Sequence, residues 1–183
     1  MATTTRTQIT ASEFMNMDLG DGLFELVRGE IVTLSPPLYW HGFVCGNIYA
    51  VLNDFGRRTG HGHVATNDSA VLINDLTVRG ADLCYYSEVR WPRALVGQGP
   101  PPVPPDLVVE VYSPSNRPGE MLEKVSEYLR AGVPMVWTVH PERRSLTIYR
   151  GDDPTPLVLT ETDVAENLPE LPGFQCRVAE FFA

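Results

Sequence analysis

The sequence predicts one domain of mixed α/β class, opening on an N-terminal β-hairpin. Three observations predict it. Apolar runs of strand character alternate with segments of helical period. The run Leu107 to Tyr112 is almost wholly apolar and β-branched, as in a strand buried on both faces. Two segments, Trp40 to Arg58 and Pro118 to Gly132, carry apolar stripes at helical spacing.

The elements follow in order. Residues 1–9 are predicted to be a flexible N-terminus, and residues 10–183 one domain. Met1 to Gln8 is Thr-rich and lacks the apolar core of a signal peptide. Thr10-Ala-Ser-Glu13 is a capping box, which predicts a short helix over Ala11 to Met17. Leu23 to Val27 and Glu30 to Leu34 read as strands joined at Arg28-Gly29, a hairpin signal. In the segment from Trp40 to Arg58, Val44, Ile48, Val51, Leu52 and Phe55 make the buried stripe, and His41 lies at its N-terminal end. His63 to Ile73 and Val78 to Tyr86 form a second strand pair around Asn74 to Thr77. Gly97 to Pro105 is a stiff, proline-rich connector on the surface. After the Leu107 strand, Pro118 suits a first helical turn, and Met121, Leu122, Val125, Tyr128 and Leu129 give that helix its stripe. Gly132 and Pro134 stop it. Met135 to Val139 and Ser145 to Tyr149 make another hairpin, Leu157 to Thr160 adds a strand, and Val178 to Phe182 closes the chain as a helix.

Composition bounds the function. The chain has 183 residues, enough for one domain with a proper core. No apolar run approaches the roughly 20 residues that span a bilayer. Three scattered cysteines, Cys45, Cys84 and Cys176, argue against a disulfide framework or a zinc site and fit the cytoplasm. The net charge of −9 disfavours broad adhesion to nucleic acid, which needs a positive surface. It leaves a nuclease open, because clustered acids can hold ions that supply positive charge locally.

The candidate chemistry centres on three residues. Glu110 stands inside the apolar strand, where an ionised carboxylate is costly unless it is paired or holds a metal. Asp82 lies between Ala81 and Leu83 in an earlier strand. Lys124, the only lysine in the chain, follows on the next helix, at the edge of the apolar stripe. Magnesium takes hard oxygen ligands and keeps several waters, so two carboxylates from adjacent strands, plus a backbone carbonyl, suffice to hold it. A lysine beside them can orient water or stabilise phosphoryl charge. Each residue has a structural alternative. An arginine such as Arg79 could satisfy Glu110, Asp82 could face solvent, and Lys124 could pair with Glu120 or Glu127 along its helix. Asp106 suits a loop cap, Glu30 and Glu127 read as surface acids, and Trp40, Trp91 and Trp137 as core or interface residues.

Several motifs come in a family order. Phe24-Glu-Leu-Val-Arg-Gly-Glu30, Ser35-Pro-Pro37, His41, Asp82, Asp106-Leu-Val-Val-Glu-Val-Tyr-Ser-Pro-Ser115, Ala131-Gly-Val-Pro134 and Leu171-Pro-Gly-Phe174 resemble the Uma-two family. That is a bacterial group of restriction endonuclease-like proteins in the PD-(D/E)XK nuclease superfamily, and the resemblance covers about Thr10 to Ala183. It implies a restriction endonuclease-like core, with a central mixed β-sheet flanked by helices, and magnesium- or manganese-dependent hydrolysis of phosphodiesters. Asp82 and Glu110 match the two metal-binding acids. The superfamily lysine belongs two residues after the second acid, where this chain has Tyr112, so Lys124 stands in for it. Glu25 falls on a family motif as a further acid, and His41 is a further candidate. DNA is the expected substrate, and a homodimer the expected assembly. The alternative is a catalytically inactive, oligomeric interaction domain that keeps the nuclease fold. A third, weaker option is hydrolysis of a small phosphate compound.

Overall fold

The computed structural model describes residues 8–97, 101–113 and 118–183. Most of the predicted flexible terminus, part of the Gly97 to Pro105 connector and the Pro114-Ser115 end of the family segment lie outside the described residues.

Thr10 caps α1 (Ala11–Met15) through the predicted box: Glu13 N–H donates to its hydroxyl, and its own N–H donates to the Glu13 carboxylate at 2.8 Å. The helix stops two residues early, because Asn16 becomes its C-cap. β1 (Leu23–Val27) and β2 (Glu30–Leu34) form the hairpin, turning through left-handed Arg28 and Gly29. α2 (Tyr39–Thr59) ends at left-handed Gly60. β3 (Gly62–Asn74) and β4 (Thr77–Ser87) make a long antiparallel pair. β5 (Leu107–Val111) leads to α3 (Pro118–Arg130), which returns the chain to β6 (Met135–His140), parallel to β5. β7 (Ser145–Arg150) and β8 (Leu157–Thr160) extend the sheet antiparallel. The eight-stranded sheet runs β2-β1-β4-β5-β6-β7-β8, with β3 on β4, so it is mixed as predicted.

A small second sheet of β9 (Val164–Glu166) and β10 (Gln175–Arg177) has no counterpart in the sequence reading. Three-residue strands carry too little pattern to read. The terminal segment, predicted as a helix, is a 3-10 turn at Val178–Phe182.

Two layers cover the sheet. On one face the α2 stripe of Val44, Ile48, Leu52 and Phe55 packs on Leu83, Val109 and Trp137, joined by Phe174 and Phe181. On the other, Val125 and Tyr128 of α3 pack on Cys84, Val108 and Val136. Each such side chain contributes about 1.5–3 kcal/mol on burial. Close approach of α2 to the sheet depends on Gly56, whose absent Cβ would sit 2.4 Å from the Gly62 carbonyl oxygen. Trp137 is fully buried in this core. Trp40, by contrast, is 40% exposed at the first turn of α2, where it stacks on Phe43. Among the described residues no helix is long and apolar enough to cross a membrane.

Candidate active site

The site lies where the sheet forks. β3 occupies one edge of β4 from Gly62↔Ser87 to Asn74↔Thr77. β1 and β5 must then share the other edge. β1 pairs there at Leu26↔Val78, and β5 from Leu83↔Val109 to Tyr85↔Leu107. In the gap, carboxylates take over the backbone hydrogen bonding. Gly80 N–H donates to Glu25 at 3.1 Å, and Val111 N–H donates to Asp82 Oδ2 at 2.6 Å. Buried backbone donors need partners, and these two find them in acids that are thereby fixed in place.

The facing of β4 also slips here. Ala81 belongs to the α3-side core and Leu83 to the α2-side core, although residues two apart in a regular strand share a face. Opposite them, β3 carries an extra residue between Thr66 and Ser69, with Asn67 and Asp68 at φ 71° and 53°. This is a β-bulge, a device that re-aims side chains. Asp82 meets His41 of α2, with Nε2 3.2 Å from Oδ2. Glu110 of β5 turns the other way and reaches α3.

On the α3 side the charges interlock. Lys124 Nζ lies 2.8 Å from Glu25 and 3.4 Å from Glu110. Tyr128 donates its hydroxyl to Glu110 Oε1 at 2.6 Å. Arg79 bridges Glu25 at 2.8 Å and Glu127 at 2.7 Å. A cavity of about 410 Å³ opens over this array, and Glu25, His41, Asp82, Glu110, Ser113 and Lys124 all line it.

These contacts set the protonation states. Burial pushes the Glu110 carboxyl up to about 7; the charges of Asp82 and Glu25 add to this, while Lys124 and the Tyr128 hydroxyl oppose it. Burial alone would raise Glu25 as well, but Lys124 and Arg79 outweigh it and hold Glu25 below the usual carboxylate range. For Lys124, burial works against the cation, and Glu110 and Glu25 more than reverse it, so its ammonium is held above the ordinary value. His41 follows the same pattern. Burial would lower it, but Asp82 raises it through a hydrogen bond and its charge.

The structure thus brings all five predicted residues, Asp82, Glu110, Lys124, Glu25 and His41, to one cavity. Three expectations change. Arg79 neutralises Glu25 and Glu127, not Glu110. Glu127 is a buried ion-pair partner and not a surface acid. Lys124 reaches Glu25 of β1 and Glu110 of β5. Three participants escaped sequence reasoning. Asp68 reaches the cavity from the bulge, Tyr128 was read only as a stripe residue, and Cys45 sits 3.7 Å from His41. The Asn67-Asp68 pair inside a strand was the available signal, since Asn and Asp tolerate left-handed backbone.

The donor set fits a hard divalent cation. The cavity is lined by the carboxylates of Glu25, Asp68, Asp82, Glu110, Glu120 and Glu123 against two obligate cations, Arg79 and Lys124. A carboxyl raised by burial and by neighbouring acids, as Glu110 is, would be drawn back to its charged form beside a bound cation.

The comparisons agree with this architecture. A solved structure, described as a putative nuclease from Anabaena variabilis ATCC 29413, superposes with a TM-score of 0.80 at 17% identity, covering 95% of this chain and 97% of that one. At that identity the likeness speaks for the fold. No curated protein matches the sequence. The Uma2 family model, described as "Putative restriction endonuclease", matches residues 11–179. With nearly the whole chain matched and the fold shared, this chain belongs to the Uma2 (Uma-two) family of restriction endonuclease-like proteins.

Proposed function

We propose that the chain is a metal-dependent endonuclease that hydrolyses phosphodiester bonds in DNA. The observation that carries this reading is the convergence of Asp82, Glu110 and Lys124 on one cavity at the sheet fork. Asp82 and Glu110 would hold magnesium or manganese. Bound there, the ion would supply Lewis-acid activation of water and neutralise phosphoryl charge.

The chain's own residues do the rest. Val111 N–H and His41 hold Asp82 Oδ2 in a fixed orientation. The Tyr128 hydroxyl does the same for Glu110. Glu110 would have to give up its proton to serve as a ligand, so ion binding would strengthen as pH rises through about 7. Lys124 is held as a cation by Glu25 and Glu110 and is therefore no general base at neutral pH. Its role is electrostatic: it stabilises negative charge developing on the phosphoryl group. Glu25 and Arg79 act as positioning residues, because Arg79 fixes Glu25, and Glu25 fixes Lys124.

A homodimer is part of this reading, since cutting two strands commonly uses two sites. The test is cleavage of circular and linear DNA with magnesium or manganese by the parent, Asp82→Asn, Glu110→Gln and Lys124→Met. Cleavage by the parent that all three substitutions reduce at least about a hundredfold supports it. Cleavage that survives Glu110→Gln, or none with any ion, would move the reading to a catalytically silent interaction domain.

A further inference from the structure

We propose that His41, Cys45 and Asp82 form a second metal site, selective for a borderline transition ion such as zinc, on the α2 side of the fork. His41 and Cys45 are four residues apart in α2, so they share a helix face. Asp82 meets them from β4. His41 Nε2 lies 3.2 Å from Asp82 Oδ2, and Cys45 Sγ 3.7 Å from His41 Nδ1. One donor atom from each residue lies within 4.8 Å of the other two. Ligand bonds of about 2.0–2.3 Å in a tetrahedron put donor atoms roughly 3.3–3.8 Å apart. Small side-chain rotations close that gap.

The donor types decide the ion. Nitrogen, sulfur and oxygen together suit zinc or cobalt(II), whereas magnesium takes oxygen alone. Three protein ligands leave a fourth position open. The three residues line a cavity of about 550 Å³ together with Asp68, which gives a bound ion's further ligand room to enter. Gly42 and Gly46 follow the two helix ligands and line the same cavity, where a Cβ on either would meet nothing within 4 Å. The ion therefore has a way in. The scattered cysteines argued against zinc in the sequence, but a mixed site needs only one thiolate, and the fold supplies the other ligands.

Occupancy would affect the neighbouring reaction. Asp82 belongs both to this set and to the pair with Glu110. An ion held by His41 and Cys45 draws Asp82 away from Glu110, so zinc competes with magnesium without touching Glu110 or Lys124. This consequence rests on the nuclease reading; the site itself does not.

Cobalt(II) titration tests the site without any activity. The purified reduced protein is titrated with cobalt and followed by absorption. We expect a thiolate-to-cobalt charge-transfer band that saturates at one equivalent, is bleached by zinc and survives excess magnesium. Cys45→Ser should remove the band although Cys84 and Cys176 remain, and His41→Asn should weaken binding by about tenfold or more. Glu110→Gln should leave the band intact, which separates this site from the proposed magnesium pair. Circular dichroism of each variant checks that it is folded. Absence of the band in the parent, its persistence in Cys45→Ser, or displacement of cobalt by magnesium would overturn the proposal.

Discussion

Glu110→Gln should make the metal-free protein more stable at pH 8, although it alters the centre of the proposed site. In the folded chain the Glu110 carboxyl is raised from 4.5 to about 7, first by burial and then by Asp82 and Glu25. A raised acid favours folding only while it is protonated. That contribution is complete below about pH 4.5 and is lost as pH rises through about 7. At 1.36 kcal/mol per pH unit the gap is worth about 3 kcal/mol. Glutamine cannot ionise, so the variant keeps what the parent loses. The stability difference, variant minus parent, should therefore grow by about 3 kcal/mol between pH 4 and pH 8. For a chain of this size that is about 6–12 °C in Tm. The assay is denaturant unfolding in EDTA at several pH values, followed by circular dichroism. Taking the difference cancels the groups that Glu110 does not influence; His41, which the Glu110 charge helps to raise, changes with the substitution and is followed separately. Excess magnesium at pH 8 should stabilise the parent and leave the variant unchanged. A difference that stays flat with pH, or a variant that weakens relative to the parent above pH 6, would refute the reasoning.

Other perturbations have equally definite outcomes. Lys124→Met strips Glu25 and Glu110 of a shared cation, and breaking such a buried array should cost about 3–5 kcal/mol at pH 8; the loss should shrink at pH 5, where Glu110 is protonated, in the same unfolding assay. Tyr128→Phe removes the hydroxyl that favours ionised Glu110, so it should raise the Glu110 carboxyl further and cost about 1–3 kcal/mol at pH 8. NMR titration of His41 should place its imidazole above the ordinary 6.5 in the parent and lower in Asp82→Asn, where only the charges of Asp68 and Glu110 still oppose burial.

Much of this fold is legible because its signals are local. The capping box at Thr10, the Arg28-Gly29 turn and the stripe from Val44 to Phe55 each specify their element within a few residues. Glu110 and Lys124 stand out because each breaks a local rule, one as an acid in a buried strand and the other as a lone lysine beside an apolar stripe. What was not legible depends on distant neighbours. Arg79 and Glu127 are 48 positions apart, and only the packing of α3 on β4 joins them. In the sequence Glu127 reads as a surface acid, and Arg79 only as a possible partner of Glu110. The aim of Asp82 depends on one extra residue in β3. In a regular strand Ala81 and Leu83 would share a layer and Asp82 would face the other; here the two face opposite layers, so alternation could not give the direction of Asp82. Cys45 gains meaning only once α2 is laid against β4.

Calorimetric titration of manganese into the metal-free protein, beside Asp82→Asn and Glu110→Gln, tests the central claim most directly, because it needs no substrate. The claim predicts binding in the parent that tightens between pH 6 and pH 8, as Glu110 loses its proton, and that both substitutions abolish while the proteins stay folded. Cys45→Ser should bind manganese as the parent does. No binding at pH 8, or binding that both substitutions leave intact, would contradict a metal site built on Asp82 and Glu110.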